Sequence, residues 1–155
     1  MPTPARAPSA GREGFSLAEI LIVLVIMSLL TAMALPRIQG MVQVSSIEGG
    51  LNGVATDLAV ARMRAIRTAR RVTTTISADG KSYTIVVDPA GTPTTLKTVA
   101  FSTNYPGLEL TPHSAVISFD SRGMTSGTTS TLTASRGGHS ATLTISGVGR
   151  IYRGY

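Results

Sequence analysis

The sequence predicts an α+β fold, one long N-terminal helix packed on an antiparallel β-sheet domain. Three observations predict it. From Phe15 to Leu35 the chain is apolar, with Glu19 its only charged residue. Apolar residues then recur at spacings of three and four to about residue 70. From Arg71 onward the period drops to two, with no strand–helix–strand alternation to suggest a parallel sheet.

The first element is the apolar run. As a helix, its 21 residues rise about 31 Å, close to the thickness of a bilayer's hydrocarbon core. Pro36 ends the run. A carboxylate in such a span costs about 2.5–3.5 kcal/mol even on lenient insertion scales, so Glu19 calls for a functional reason and a partner. The residues before the run, 1–14, are polar, rich in Pro and Ala, and without hydrophobic periodicity. Arg6 and Arg12 with an A-x-A-like site at Ala32-Met33-Ala34 are the marks of a secretory signal peptide, although the apolar run is longer than such peptides use. An ordinary signal anchor, with the two arginines held in the cytoplasm, accounts for the topology and leaves Glu19 unexplained.

Past Pro36 the helix becomes amphipathic. Leu51, Val54, Leu58, Ala61, Ala65 and Ala69 form one stripe that faces a core. Arg62, Arg64, Arg67, Arg70 and Arg71 lie on other faces, near the helix C-terminus where cations suit the dipole. The pair Gly49-Gly50 predicts a kink or break between the two halves. Next, Val72, Thr74 and Ile76 alternate, then Ala78-Asp79-Gly80-Lys81 turns, then Tyr83, Ile85 and Val87 alternate, which is a hairpin. Pro89–Thr95 reads as a loop, Leu96–Ser102 as a strand, Tyr105-Pro106-Gly107 as a turn and Leu108–Thr111 as a short extended piece. Val116–Phe119 is a strand ending at the turn Asp120-Ser121-Arg122-Gly123. Thr125–Ser130 reads as a loop. Thr129–Ser135 and Ala141–Ser146 form a second hairpin around Arg136-Gly137-Gly138-His139, and Gly149–Tyr152 is the last strand.

Composition narrows the chemistry. With 155 residues and no cysteine, lipoprotein anchoring, disulfides and thiolate sites are excluded. His113 and His139 are the only histidines and have no acidic residue at ligand spacing, so no metal and no cofactor is expected. No G-x-S-x-G elbow or calcium loop is present. Nothing points to an enzyme. The formal charge is +6, and beyond Asp120 the chain carries Arg122, Arg136, Arg150 and Arg153 with no acidic residue. That gradient suits a polyanion, and it also suits a plain soluble surface.

The stretch Gly14-Phe15-Ser16-Leu17-Ala18-Glu19 resembles the class III leader junction of type IV pilins and type II secretion pseudopilins. The resemblance implies that a membrane prepilin peptidase cuts after Gly14 and methylates Phe15. It also implies an assembly role for Glu19, the fifth residue of the mature chain, and it matches the family's proline at Pro36. Glu19 lies four residues from the new α-ammonium of Phe15, and a neighbour's ammonium can neutralise it within the membrane. Asp57–Ile66, Val116-Ile117-Ser118-Phe119 with Gly123, and Gly147-Val148-Gly149-Arg150-Ile151 resemble motifs of the GspH/FimT subfamily.

The resemblance implies a pilin-like fold with a cleaved leader (1–14), a transmembrane and assembly segment (15–36) and a periplasmic domain (37–155). The chain would be a single-pass protein of the inner membrane with its N-terminus cytoplasmic, joining a filament after assembly. Its implied partners are other pseudopilins or pilins through the N-terminal helix, the peptidase and an inner-membrane assembly platform. The implied function is that of a minor pseudopilin of a type II secretion system. The alternative is a FimT-like minor type IV pilin that binds DNA for natural transformation. That branch uses a C-terminal GR-x-R element; here Arg150, Tyr152 and Arg153 stand in a G-R-x-x-R spacing, one residue longer. In a strand this spacing sends the two arginines to opposite faces. Tyr152 and Tyr155 are candidates for stacking on a base.

Overall fold

The computed structural model describes residues 14–88, 93–127 and 129–154. The expected leader up to residue 13, residues 89–92 of the expected loop and Tyr155 lie outside them.

Helix α1 runs Leu17–Thr68, with Pro36 inside it. The chain divides into two compact units between Ile38 and Gln39. In the first unit the apolar side chains are exposed, from Phe15 and Leu17 through Leu35 and Ile38. The helix is long and apolar enough to cross a membrane. Its few hydroxyls are satisfied locally: Ser28 donates to the Val25 carbonyl (2.8 Å) and Thr31 to that of Met27 (2.7 Å). Lipid offers them no other partner.

In the second unit α1 buries Ile47, Gly50, Leu51, Val54, Leu58, Ala61 and Ala65. The expected stripe is therefore present and begins one turn earlier, at Ile47. Ala69 does not belong to it: the residue lies beyond the helix end, exposed, at φ 51°. Gly49-Gly50 does not break the helix either. The two glycines instead admit neighbours, because a Cβ on Gly49 would press on the Tyr105 ring and one on Gly50 would collide with Leu108.

Among the described residues eight strands follow: β1 (Arg71–Ile76), β2 (Ser82–Asp88), β3 (Thr94–Ala100), β4 (Glu109–Thr111), β5 (Val116–Phe119), β6 (Thr129–Arg136), β7 (His139–Ser146) and β8 (Ile151–Gly154). They form two antiparallel four-stranded sheets, ordered β3-β2-β1-β5 and β4-β6-β7-β8. Both sheets turn alternate residues inward, as period-two patterning requires. Val72, Ile76, Ile85 and Phe119 of the first sheet share one core with Leu110, Leu132, Leu143 and Ile145 of the second and with the buried face of α1. The expected strand Leu96–Ser102 actually ends at Ala100, and a short helix α2, Phe101–Asn104, takes over and buries Phe101 against Tyr83. The last strand lies two residues later than expected. Gly149, at φ 74°, and Arg150 still belong to the turn. At the tip between β6 and β7, Gly137 and Gly138 both have positive φ (57° and 86°), the two-residue turn that matches strand twist.

Candidate functional site

The N-terminal site is built on the first turn of α1. Ser16 accepts a hydrogen bond from the Ala18 amide (3.3 Å) and so caps the helix. This starts the helix at Leu17, directly after Ser16, and puts Glu19 in its first turn, where the dipole favours a carboxylate. Phe15 is 79% exposed and Glu19 is exposed. Among the described residues, no hydrogen bond or ion pair engages the Glu19 carboxylate.

The C-terminal basic residues have different surroundings. Arg150 is exposed in the turn before β8, with its amide on the Ser146 hydroxyl (3.1 Å). Arg153 lies opposite buried Leu143, on the inward face of β8, and its guanidinium donates to the Asn52 side-chain oxygen of α1 (2.6 Å). Tyr152, opposite Thr144, is half exposed. Arg150 and Tyr152 border a groove of about 470 Å³ whose other wall is Arg62, Met63 and Ile66 of α1. Arg153 is not among its lining residues.

Arg62 is the residue whose role the sequence did not disclose. Its Nε donates to the Gly123 carbonyl (2.9 Å) and its Nη2 to that of Val148 (3.3 Å). It thus ties α1 to the turn after β5 in one sheet and to the turn before β8 in the other. Gly123 (φ 76°) and Gly149 (φ 74°) meet beneath it. A Cβ on Gly123 would strike Ile66, and one on Gly149 would strike the Gly123 carbonyl and Arg62. The three short motifs around Arg62, Gly123 and Gly149, distant in sequence, therefore meet at one corner. The turn beneath the guanidinium is itself fixed by Asp120. Asp120 accepts the amides of Met124 (2.8 Å) and Arg122 (2.9 Å), which hold its carboxyl below the usual range.

A second polar cluster pins the edge strand β3. Asp57 of α1 accepts the Tyr83 hydroxyl (2.7 Å) and both its oxygens take the Lys97 ammonium (2.7 and 2.8 Å). Burial, then the bond to Asp57, raises the Tyr83 phenol well above its ordinary value. Among the described residues, no three of His, Cys, Asp or Glu gather into a metal-binding group.

A long apolar helix continuing into a domain of two small antiparallel sheets is the architecture of minor pilins and pseudopilins. The structure is similar to that of the type IV minor pilin FimU of Pseudomonas aeruginosa PAO1, with a TM-score of 0.60 and 20% identity over 72% of this chain and 90% of that one. It is also similar to the minor pseudopilin EpsH from the Type 2 Secretion System of Vibrio cholerae, with a TM-score of 0.57 and 15% identity over 70% and 95% of the two chains. Residues 10–35 match the prokaryotic N-terminal methylation motif. No curated protein matches the chain. Residues 51–149 match the family described as Type II transport protein GspH, and the chain belongs to that family. It is thus a membrane-anchored structural subunit of the minor pilin and pseudopilin class, a class that works by assembling with other pilin-type subunits.

Proposed function

We propose that this chain is a minor pseudopilin of a type II secretion system, a low-copy subunit of a short periplasmic filament. The membership of residues 51–149 in the GspH family carries this reading. In it, prepilin peptidase removes residues 1–14 by cutting between Gly14 and Phe15 and methylates Phe15. Segment 15–36, with Pro36 near its end, then anchors the chain with its N-terminus at the cytoplasmic side and domain 37–155 in the periplasm. The inner-membrane platform lifts the subunit into the filament. Glu19 pairs there with a neighbour's α-ammonium, which removes two isolated charges from lipid at once. The exposed carboxylate in the first turn of α1 supports that role.

The second reading is a minor type IV pilin that captures DNA through Arg150, Tyr152 and Arg153. It draws on the exposure of Arg150 and Tyr152 at one corner. The engagement of Arg153 by Asn52 counts against a joint grip on phosphate. Cells deleted for this chain separate the two. Secreted proteins held back in the periplasm with normal DNA uptake support the secretion reading. Lost uptake with normal secretion replaces it by the second.

A further inference from the structure

The groove between α1 and β8 has a chemistry that the filament reading does not use. One wall is aliphatic: Met63 is 58% exposed and Ile66 47%, a large apolar exposure for two neighbours on the polar side of an amphipathic helix. The other wall is the edge strand β8, last in the order β4-β6-β7-β8. The Arg150 carbonyl takes the Ser146 amide (2.8 Å). Antiparallel pairing alternates, so the amide and carbonyl of the next residue, Ile151, are directed away from β7 along the groove. Arg62 and Arg150 line the groove, and among the described residues no acidic side chain does. It therefore offers strand-directed hydrogen bonding, aliphatic contact and the positive charge of Arg62 and Arg150 side by side.

We propose that this groove is a docking site for an extended segment of a partner protein with alternating acidic and apolar residues, added as a strand beside β8. The apolar side chains would lie on Met63 and Ile66, and an acidic one would meet Arg150. Strand addition of this kind draws affinity from main-chain hydrogen bonds and specificity from alternate side chains. A second copy of this chain fits poorly, because its formal charge is +6 and the residues beyond Asp120 include no Asp or Glu. Nucleic acid fits less well than a peptide, because aliphatic walls give phosphates nothing and Arg153 is turned to Asn52. The site is independent of which filament the chain joins.

The test uses the full chain in detergent micelles and fluorescence anisotropy. The probes are a labelled octapeptide of alternating valine and glutamate, its lysine counterpart, the glutamate peptide with a central proline, and duplex DNA. The glutamate peptide should bind, and Arg150→Ala and Met63→Ser should each weaken it by about tenfold or more. The proline and lysine peptides should bind at least as weakly as those variants. Both substitutions are at exposed positions, and unchanged circular dichroism shows that the fold is kept. Absence of glutamate-peptide binding, equal binding of the lysine peptide, or displacement by duplex DNA at the same corner would each overturn the proposal.

Discussion

At Tyr83, a single phenol couples the core to the helix. Its proton is held more tightly in the folded chain than in the unfolded one, first because burial penalises phenolate and then because Asp57 accepts from it. A group whose folded pKa is raised contributes its full stability below the unfolded value, here 10.0, and loses it as pH rises further. Unfolding should therefore become easier above about pH 10. Tyr83→Phe should cost about 1–2 kcal/mol at neutral pH and remove that alkaline slope. Thermal unfolding followed by circular dichroism across pH checks both. Thr74 should behave in the opposite way. It is buried in β1 and, among the described residues, its hydroxyl finds no hydrogen-bond partner. Thr74→Val keeps the shape and removes the desolvated hydroxyl, so it should raise stability by about 1 kcal/mol; a loss of that size would mean that the hydroxyl is satisfied in solution.

At the scale of elements, the glycines of α1 separate local signals from tertiary ones. Gly53 has open space around its Cα, whereas the Cβ of an alanine at Gly50 would meet Leu108. Gly53→Ala should stabilise the helix by about 0.5–1 kcal/mol through backbone entropy. Gly50→Ala should destabilise the domain, and equal effects at the two positions would remove the close-approach account. The same pair shows what local reading misses. Two adjacent glycines look like a helix break, and only Leu108 and Tyr105, more than fifty residues on, explain them.

The strands were legible because Val72, Thr74 and Ile76, and later Leu143 and Ile145, alternate inward faces on their own. The capture of Phe101 in a short helix was not, since that ring is held by packing on Tyr83. Arg62 was equally opaque. Its position suggested a charge near the helix end, yet its guanidinium spans carbonyls 61 and 86 residues away. Arg62→Ala should cost about 2 kcal/mol by leaving two backbone acceptors short of a donor. Arg62→Lys should recover little of it, because an ammonium cannot fork between them.

At the scale of the whole molecule, the chain divides into two compact units between Ile38 and Gln39. The described residues of the first expose their apolar side chains, a surface suited to lipid; the second carries the family's core and its basic corner. The long apolar stretch of the helix was legible from the sequence because lipid imposes a length, a composition and a cost on charge that few other roles share. The grooved corner was not, because its walls come from residues 59–66 and 149–152 and exist only once the two meet. Glu19→Ala should leave processing intact and reduce incorporation into filaments, as scored by filament fractionation. Replacing Gly14 by a bulky residue should block the cut.

If Gly14–Glu19 is a processing and assembly signal, the intact mass of the membrane-extracted protein will show it. A mature chain that begins at methylated Phe15 is the expected result. A chain that retains Met1, or one that begins at Leu35 after signal-peptide cleavage, would contradict it.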